Sequence, residues 1–456
     1  MSAGPAMVVS ASRRRIDPDP SFTRAFAELA PRLPGSDRQE IAALRARSLA
    51  RFTELGIPTQ RDEAWKFTPV GRIVNRPHAA DVPAEPPLER ILPHLLGGPK
   101  ARRLVFVNGR LVPQWSHVGG LPEGAAIESL TRALERRTEA VAARLARDDG
   151  RSFTALNAAL AASGAWIELA PGVVLSDPVQ LLFVTVPGAS APMSHPRVVL
   201  RLGSGAALTL LESHVGLEPG PALTNLVLEG ELGEGASLAH DRLLLQADEA
   251  ALIGKVELVL GARARYDQTT VALGGSLLRS ESEVSIEGEG VECRLAGLAV
   301  PRAGEHVDTL VRVHHRAPAS HSDQLFKSVV EERGHHAFAG KIFVHRGAQR
   351  TNAYQKNDNL LLAEDGEVDS KPELEIYADD VKCSHGATCG ELDPSALFYL
   401  RARGIDATTA RGLLIWAFAS ELLDRLGDRT ARAAARRALA ARLPTGALVD
   451  EHEDAA

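Results

Sequence analysis

Three patterns of apolar and polar positions succeed one another along the chain. In the first, from Asp17 to Arg151, helical spacing alternates with proline-rich joints. Gln39–Leu55 sets Ala, Leu and Ile against Arg and Glu at helical intervals, and Gly56 and Pro58 then stop it. Arg61–Thr68 places Trp65 and Phe67 among four charges, which predicts a short turn held against a surface. Pro77–Pro93 holds five prolines and reads as a linker or an extended wrap. Leu104–Asn108 with Gly109 predicts a strand and a turn that continue into Leu111 and Val112. Ile127–Arg147 reads as helix.

The second pattern consists of short strand-like bursts: Val198–Leu202, Ala207–Glu212, Leu226–Leu232, Ser237–Leu245, Val256–Leu260 and Glu283–Glu287. Corners rich in glycine separate them. Gly203-Ser204-Gly205-Ala206 returns as Gly233-Glu234-Gly235-Ala236, and Gly261-Ala262-Arg263-Ala264 and Gly288-Glu289-Gly290-Val291 echo it, at intervals of 30, 28 and 27 residues. A repeat of this length, built of strands and glycine corners, fits stacked coils of a solenoid. A Greek-key sandwich is the competing architecture, since it also uses many short strands. No helical pattern separates the strands, which disfavours βαβ folds.

The third pattern is helical. Asp393-Pro394 is an N-cap followed by proline at the first helical position. Leu397, Phe398 and Leu400 form an apolar patch before Gly404 ends the helix. Ala407–Leu426 predicts a second helix with Leu413, Leu414, Trp416, Ala417 and Phe418 on its buried side. Arg429–Leu443 predicts a third, whose Arg429, Arg432, Arg436, Arg437 and Arg442 form either a solvated face or a dock for an acidic partner. Asp450–Asp454 closes the chain as an acidic, disordered tail. The chain thus divides into 1–160, mostly helical with a proline-rich linker, 161–392, the β core, and 393–456, helical.

Composition narrows the class. Of 456 residues, Lys+Arg number 52 and Asp+Glu 58, a net charge of -6 that argues against a polycation neutralising nucleic-acid phosphates. Aromatic content of only 4% leaves the packing to Ala, Leu and Val, which suits the narrow interior of a solenoid. Apolar runs such as Leu181–Val186 fall far short of the roughly 20 residues that cross a bilayer, so no membrane role is expected. No apolar segment follows Arg13–Arg15 as a secretory signal requires. Three sparse cysteines, Cys293, Cys383 and Cys389, exclude a disulfide framework and point to a reducing compartment, the cytoplasm.

Common catalytic motifs are missing. Gly340-Lys341 lacks the upstream glycine and the following hydroxyl of a phosphate-binding loop, and Gly203-Ser204-Gly205 has the wrong spacing for a nucleophile elbow. No His-Glu-x-x-His occurs. His306, His314, His315, His321, His335, His336, His345 and His385 crowd one stretch. Stacked about 4.8 Å apart, such residues form either a metal-binding ladder or ordinary polar edge positions. His335 and His336, being neighbours on a strand, point to opposite faces. Cys383 and His385 sit two apart, so a strand places thiol and imidazole on one face, both suited to iron or zinc. The alternative is a buried structural thiol. Cys389, six residues on, is read as turning away.

These residues lie in Lys371–Thr388, whose sequence Lys-Pro-Glu-Leu-Glu-Ile-Tyr-Ala-Asp-Asp-Val-Lys-Cys-Ser-His-Gly-Ala-Thr closely resembles the signature of the SufB/SufD family. Members of that family are scaffold subunits of the SUF iron–sulfur cluster assembly system. Asn357–Leu362, Leu397–Ile405, Arg61–Phe67 and Phe153–Asn157 extend the likeness over most of the chain. It resembles the SufD branch: SufB has Cys-Gly-Ala on the preceding strand, where this chain reads Asp369-Ser370-Lys371-Pro372, and Glu-His-Glu-Ala in place of Cys383–Ala387.

The resemblance implies a mainly β fold, with a right-handed parallel β-helix core flanked by α-helical N-terminal and C-terminal regions. It implies a non-catalytic scaffold that pairs with a SufB-like subunit through the end of the β-helix. A SufC-like ATPase would dock on the C-terminal helices, around Phe398, Tyr399, Arg403, Gly404, Trp416 and Phe418. SufC would bind the ATP, which accounts for the missing phosphate loop. His385, with Cys383 beside it, matches the cluster-building position at the SufB–SufD junction. A transient iron or iron–sulfur cluster would sit there, and the chain would carry no cofactor of its own. Pairing into a homodimer is open to the isolated chain. Two readings of another kind compete: a carbohydrate-active β-helix enzyme using Glu281, Glu283 and Glu287 along one face, and a purely structural adaptor in which His385 only satisfies the fold.

Overall fold

The computed structural model describes residues 15–443; the acidic tail falls outside them. Between Gly164 and Gly390 successive strands alternate between two sheets, so each pair makes one rung and each strand lies parallel to the strand one rung away. The first sheet runs Gly164–Leu169, Arg197–Leu202, Ala222–Leu232, Ala250–Leu260, Leu277–Ile286, His306–His315, His335–Val344 and Glu367–Ile376. The second runs Val179–Thr185, Ala207–Gly216, Ser237–Gln246, Arg265–Gly274, Glu292–Ala299, His321–Val330, Asn352–Leu361 and Lys382–Gly390. The core is therefore a parallel β-solenoid, and the sandwich alternative falls.

The glycine corners explain how the rungs stack. In each repeat the third position takes a positive φ, at Gly205 (67°), Gly235 (65°), Arg263 (56°) and Gly290 (69°). At the first position the backbone of the preceding rung crowds in. A Cβ on Gly233 would meet Ser204 N at 2.8 Å, and one on Gly288 would meet Ala262 N at 2.0 Å, so only glycine fits. The fourth position, Ala206, Ala236, Ala264 and Val291, is buried in the stack. Between the sheets, columns of Leu, Val and Ile make a continuous core, with Phe106 and Phe183 stacked at 5.2 Å near its start. Polar groups interrupt that core at Glu212, which is paired with Arg242 at 2.9 Å and with His214 at 3.0 Å. Burial opposes its charge, but these partners hold its carboxyl well below the usual range.

The flanking regions cover the two outer faces. Helix Gln39–Leu55 forms as the spacing predicts and ends at Gly56 with φ 67°. Trp65 sits in a 3₁₀ turn, Glu63–Trp65, buried against Phe153 and beneath the Arg279 guanidinium, 3.7 Å from its ring. The proline-rich stretch is an extended wrap only in its first part, where Ala79–Ala80 pairs with Pro192–Met193; from Leu88 it turns into a short helix, Leu88–Ile91, and a 3₁₀ turn, Leu92–His94. Ile127–Arg147 is not one helix. Ala125–Ser129 is a strand antiparallel to Gly164–Leu169, followed by helices Leu130–Arg136 and Thr138–Leu145. Sheet pairing at the start of the solenoid overrides the helical spacing there.

At the C-terminus, helices Pro394–Ala402, Ala407–Leu423 and Arg429–Ala440 follow their caps Asp393, Asp406 and Asp428. The second helix buries Ile415, Ala419, Leu422 and Leu423 against the outer face of the second sheet, while Leu413 and Ala417 face out. The buried stripe is shifted because the long contact lies toward the helix's C-terminal half. Among the predicted arginines, Arg442 pairs with Glu305 at 2.8 Å and Arg436 with Asp424 at 2.8 Å, so the row is partly tied to the protein's own carboxylates. Among the described residues no helix is long and apolar enough to cross a membrane.

Candidate functional site

The solenoid stops abruptly. Lys382–Gly390 is the last strand of its sheet, pairing only with Asn352–Leu361, in register Ala353 with Cys383, Gln355 with His385, Asn357 with Ala387 and Asn359 with Cys389. In a parallel ladder, alternate residues turn both backbone groups to the same neighbour. Lys382 N donates to Thr351 O at 2.9 Å, so the even-numbered residues bond the rung below. The N–H and C=O of Cys383, His385, Ala387 and Cys389 face outward along the free edge.

The side chains of those same four residues continue interior columns. Cys383 tops the column Leu208, Leu238, Tyr266, Cys293, Ser322 and Ala353, and it packs against the cluster of Ile342, Val344 and Ala353. His385 tops the column above Gln324 and Gln355, whose amides are linked at 2.8 Å. Cys389 keeps the same register and does not turn away, because the strand runs unbroken to Gly390. Cys383 is half-buried, and His385 and Cys389 are exposed. Burial pushes the Cys383 thiol up, with a backbone group of Ala353 working against it; Cys293, fully buried, is pushed up much further and is inert.

Amides that the sequence reading did not single out anchor this strand. Asn359 donates to Thr388 O at 3.0 Å and accepts from Ser328 at 2.7 Å, and Thr388 donates to Asp358 at 2.9 Å. Ser370, on the last strand of the other sheet, donates to Asn357 at 2.7 Å. Their signal was the i, i+2 pair Asn357 and Asn359, which a strand turns to one face.

The histidine ladder is not built. His315 is enclosed by Ser320 and Ser322 at 2.8 Å each, His336 lies 3.3 Å from Asn359, His306 is 2.9 Å from Thr68, and His335 is 2.9 Å from Asp369. Burial depresses His306 to about 3 and His315 and His336 to about 4. Of these, only His306 and His335 meet as the stacking predicts, one rung apart on the outer face with ring centroids 4.3 Å apart, while His315 and His336 turn into the interior, and each of the four has its own polar partner. Among the described residues no group of three or more His, Cys, Asp or Glu side chains is placed to hold a metal ion. The site offers donors on one strand edge rather than an enclosed cage.

The carboxylates of the enzyme reading are engaged as well. Arg151 pairs with both Glu281 and Glu283, Arg279 with Glu281 at 2.7 Å, and Arg316 with Glu287 at 3.2 Å. Burial opposes ionisation of Glu281, yet Arg279 and Arg151 hold it at about 2. Each of the three is thus tied to an arginine rather than left free for the acid and base roles of glycoside cleavage.

The C-terminal candidates separate into two groups. Phe398 is 74% and Tyr399 56% exposed, with the Arg403 guanidinium 4.6 Å from the Tyr399 ring. Gly404, at φ 88°, ends the helix. Trp416 and Phe418 are half-buried against the solenoid, with Lys327 Nζ 4.5 Å from the Phe418 ring.

A capped parallel β-solenoid with a bare final edge carrying thiol and imidazole defines the class of protein. Comparison with known sequences gives the family. Residues 184–418 match the SufBD core domain of SUF system iron–sulfur cluster assembly, and residues 18–181 match the SufBD N-terminal region. The chain is 33% identical to the iron–sulfur cluster assembly protein SufD of Escherichia coli, over 88% of this chain and 92% of that one. It is 32% identical to a SufBD family protein of Synechocystis, over 82% and 84%, and 26% identical to SufD of Bacillus subtilis, over 61% and 64%. This chain belongs to the SufBD family of iron–sulfur cluster assembly proteins.

Proposed function

We propose that this chain is a SufD-type scaffold on which iron–sulfur clusters are assembled, working with a SufB-like subunit and a SufC-like ATPase. The observation that carries the reading is the unpaired edge Lys382–Gly390, whose outward backbone is free for a partner strand while Cys383 and His385 face the mouth of the solenoid. A partner chain adding at that edge brings its own ligands to a site that has too few here. Iron and sulfide are cargo in this scheme, so a small and open donor set favours release as much as capture. The exposed Phe398, Tyr399 and Arg403 offer the ATPase an apolar and cationic surface, and ATP-driven movement of Pro394–Ala402 would strain the adjoining last rung. The absence of a phosphate-binding loop fits a chain that transmits this motion without hydrolysing ATP. The cytoplasm is the assigned compartment.

Cys383 must lose its proton to ligate, and burial holds that proton on; metal capture at Cys383 therefore strengthens as pH rises. The test is co-purification with the two partner subunits, followed by anaerobic reconstitution and absorption spectroscopy. His385→Ala should abolish cluster formation while leaving the three-subunit complex intact. Unchanged cluster yield would refute the role and favour the structural-adaptor reading.

A further inference from the structure

We propose that the cleft between the N-terminal region and the outer face of the first sheet binds a small organic oxyanion, its charged head on Arg312 and its apolar body against Leu55, Ile57 and Phe153. The cleft has a volume of about 390 Å³, within the range of small-molecule sites, roughly 300–1,000 Å³. It lies far along the chain from the open edge and shares none of that edge's residues.

Charge partners single out Arg312. The column in which it lies runs Glu229, Glu257, Glu283, Arg312 and Lys341. Arg147 takes the first two carboxylates, Arg151 takes Glu283, and Lys341 turns to Glu375 at 2.5 Å. The other charged groups lining the cleft are also engaged. Lys255 holds Asp149 at 2.6 Å, Glu63 holds Lys371, Arg15 donates to Glu54 O, and Asp62 accepts from Thr59 N at 2.8 Å. Arg312 alone among them makes no hydrogen bond or ion pair with a described residue, although it is half-buried. Burial and the nearby Arg151 and Arg279 disfavour its charge, against the opposing pull of Glu281 and Glu283, which are themselves held by Arg151 and Arg279. A guanidinium keeps its proton at neutral pH, so Arg312 presents to the cleft a cation without a hydrogen bond to the described residues, with which a bound anion can pair. The planar fork suits the two oxygens of a carboxylate or phosphate, and the apolar wall favours a ligand with a hydrophobic body over a bare ion.

The full chain, labelled with fluorotryptophan, gives four reporters, one of which, Trp65, lines the cleft. Its fluorine resonance is identified by Trp65→Phe. Phenyl phosphate and benzoate are titrated in, with benzyl alcohol as the neutral control and inorganic phosphate as the headgroup alone. The expected result is a saturable shift of the Trp65 signal only, with at least about tenfold weaker binding in Arg312→Gln and partial recovery in Arg312→Lys. No saturable shift, equal binding in Arg312→Gln, or equal binding of benzyl alcohol would overturn the proposal. So would binding that appears only after residues 1–14 are removed, since the chain's own N-terminus would then be the occupant.

Discussion

The two ends of the solenoid face the same physical problem and treat it in opposite ways. At the start, Ala125–Ser129 adds antiparallel to Gly164–Leu169, a further strand Arg102–Val107 adds parallel to Val179–Thr185 and is itself edged by Arg110–Leu111, and every residue of Val179–Thr185 is buried. At the finish, no strand follows Lys382–Gly390 among the described residues, and of its nine residues only Cys383 is even half-buried. A solenoid needs a terminal cap to shield its core and edges. One end has its cap built in, and the other carries charged outward positions, Glu367, Asp369, Lys371, Glu373 and Glu375, with an unfinished interior. The difference teaches that the bare end is well specified in register even though the described residues build no cap over it. Its register is complete and the Asn357 and Asn359 amides are paired up to the final rung, while Gln324 Nε2 and Gln355 Oε1, in the column under His385, have no hydrogen-bond partner among the described residues.

The contrast can be broken most forcefully at the closed end. Phe106→Ala removes a fully buried ring stacked on Phe183 and should cost about 3–5 kcal/mol, whereas Ile376→Ala, at a position 41% exposed on the last rung, should cost about 1 kcal/mol or less in the isolated chain. Urea denaturation of the two variants measures the gap. If Ile376→Ala proves as costly as Phe106→Ala, the open end is not open.

Acid sharpens the comparison next. His315 and His336 lie in the rungs toward the open end and are held neutral, at about 4, by burial. Their folded-state values lie below the unfolded value of about 6.5. Their contribution is therefore fully present above pH 6.5 and is lost as pH falls from there toward 4, by up to about 1.4 kcal/mol per pH unit for each ring. Glu281, held at about 2, adds its loss only below about pH 4.5. His336→Gln should flatten the first of these slopes in urea midpoints measured between pH 7 and 4.5 while leaving the second.

The smallest thermodynamic effect should carry the largest change in association. Ala387→Pro deletes an outward N–H that no strand of this chain uses, and proline is tolerated at such edge positions. Stability should change by about 1 kcal/mol or less. Pairing along the edge, whether with a SufB-like chain or with a second copy, should be lost by light scattering. Retained pairing would move the interface elsewhere.

The repeat of glycine corners was legible in the sequence because stacking imposes it locally: a positive φ and a close backbone approach each demand a residue type at a fixed offset. The i, i+2 spacing of Cys383 and His385 was legible for the same reason, since strand periodicity alone puts them on one face. The helices at Gln39–Leu55 and Pro394–Ala402 announced themselves through caps and stop residues. Ile127–Arg147 misled because its helical spacing lost to a long-range partner, the first solenoid strand. The histidine cluster misled because nearness in sequence says nothing about which of two sheets, or which face, a ring will take.

Sequence by itself determined the rung, its corners and the placing of Cys383 and His385 on one face of the last strand, all of which depend on interactions within a few residues or one repeat. Only the tertiary structure decided that Cys389 faces the same way as Cys383, that Glu281 and Glu283 are bound to Arg151, and that Arg312 makes no hydrogen bond or ion pair with a described residue. Those outcomes depend on which strand ends the stack and on which flanking segment lies over each face. Such pairings join residues more than a hundred positions apart, where no local pattern reaches.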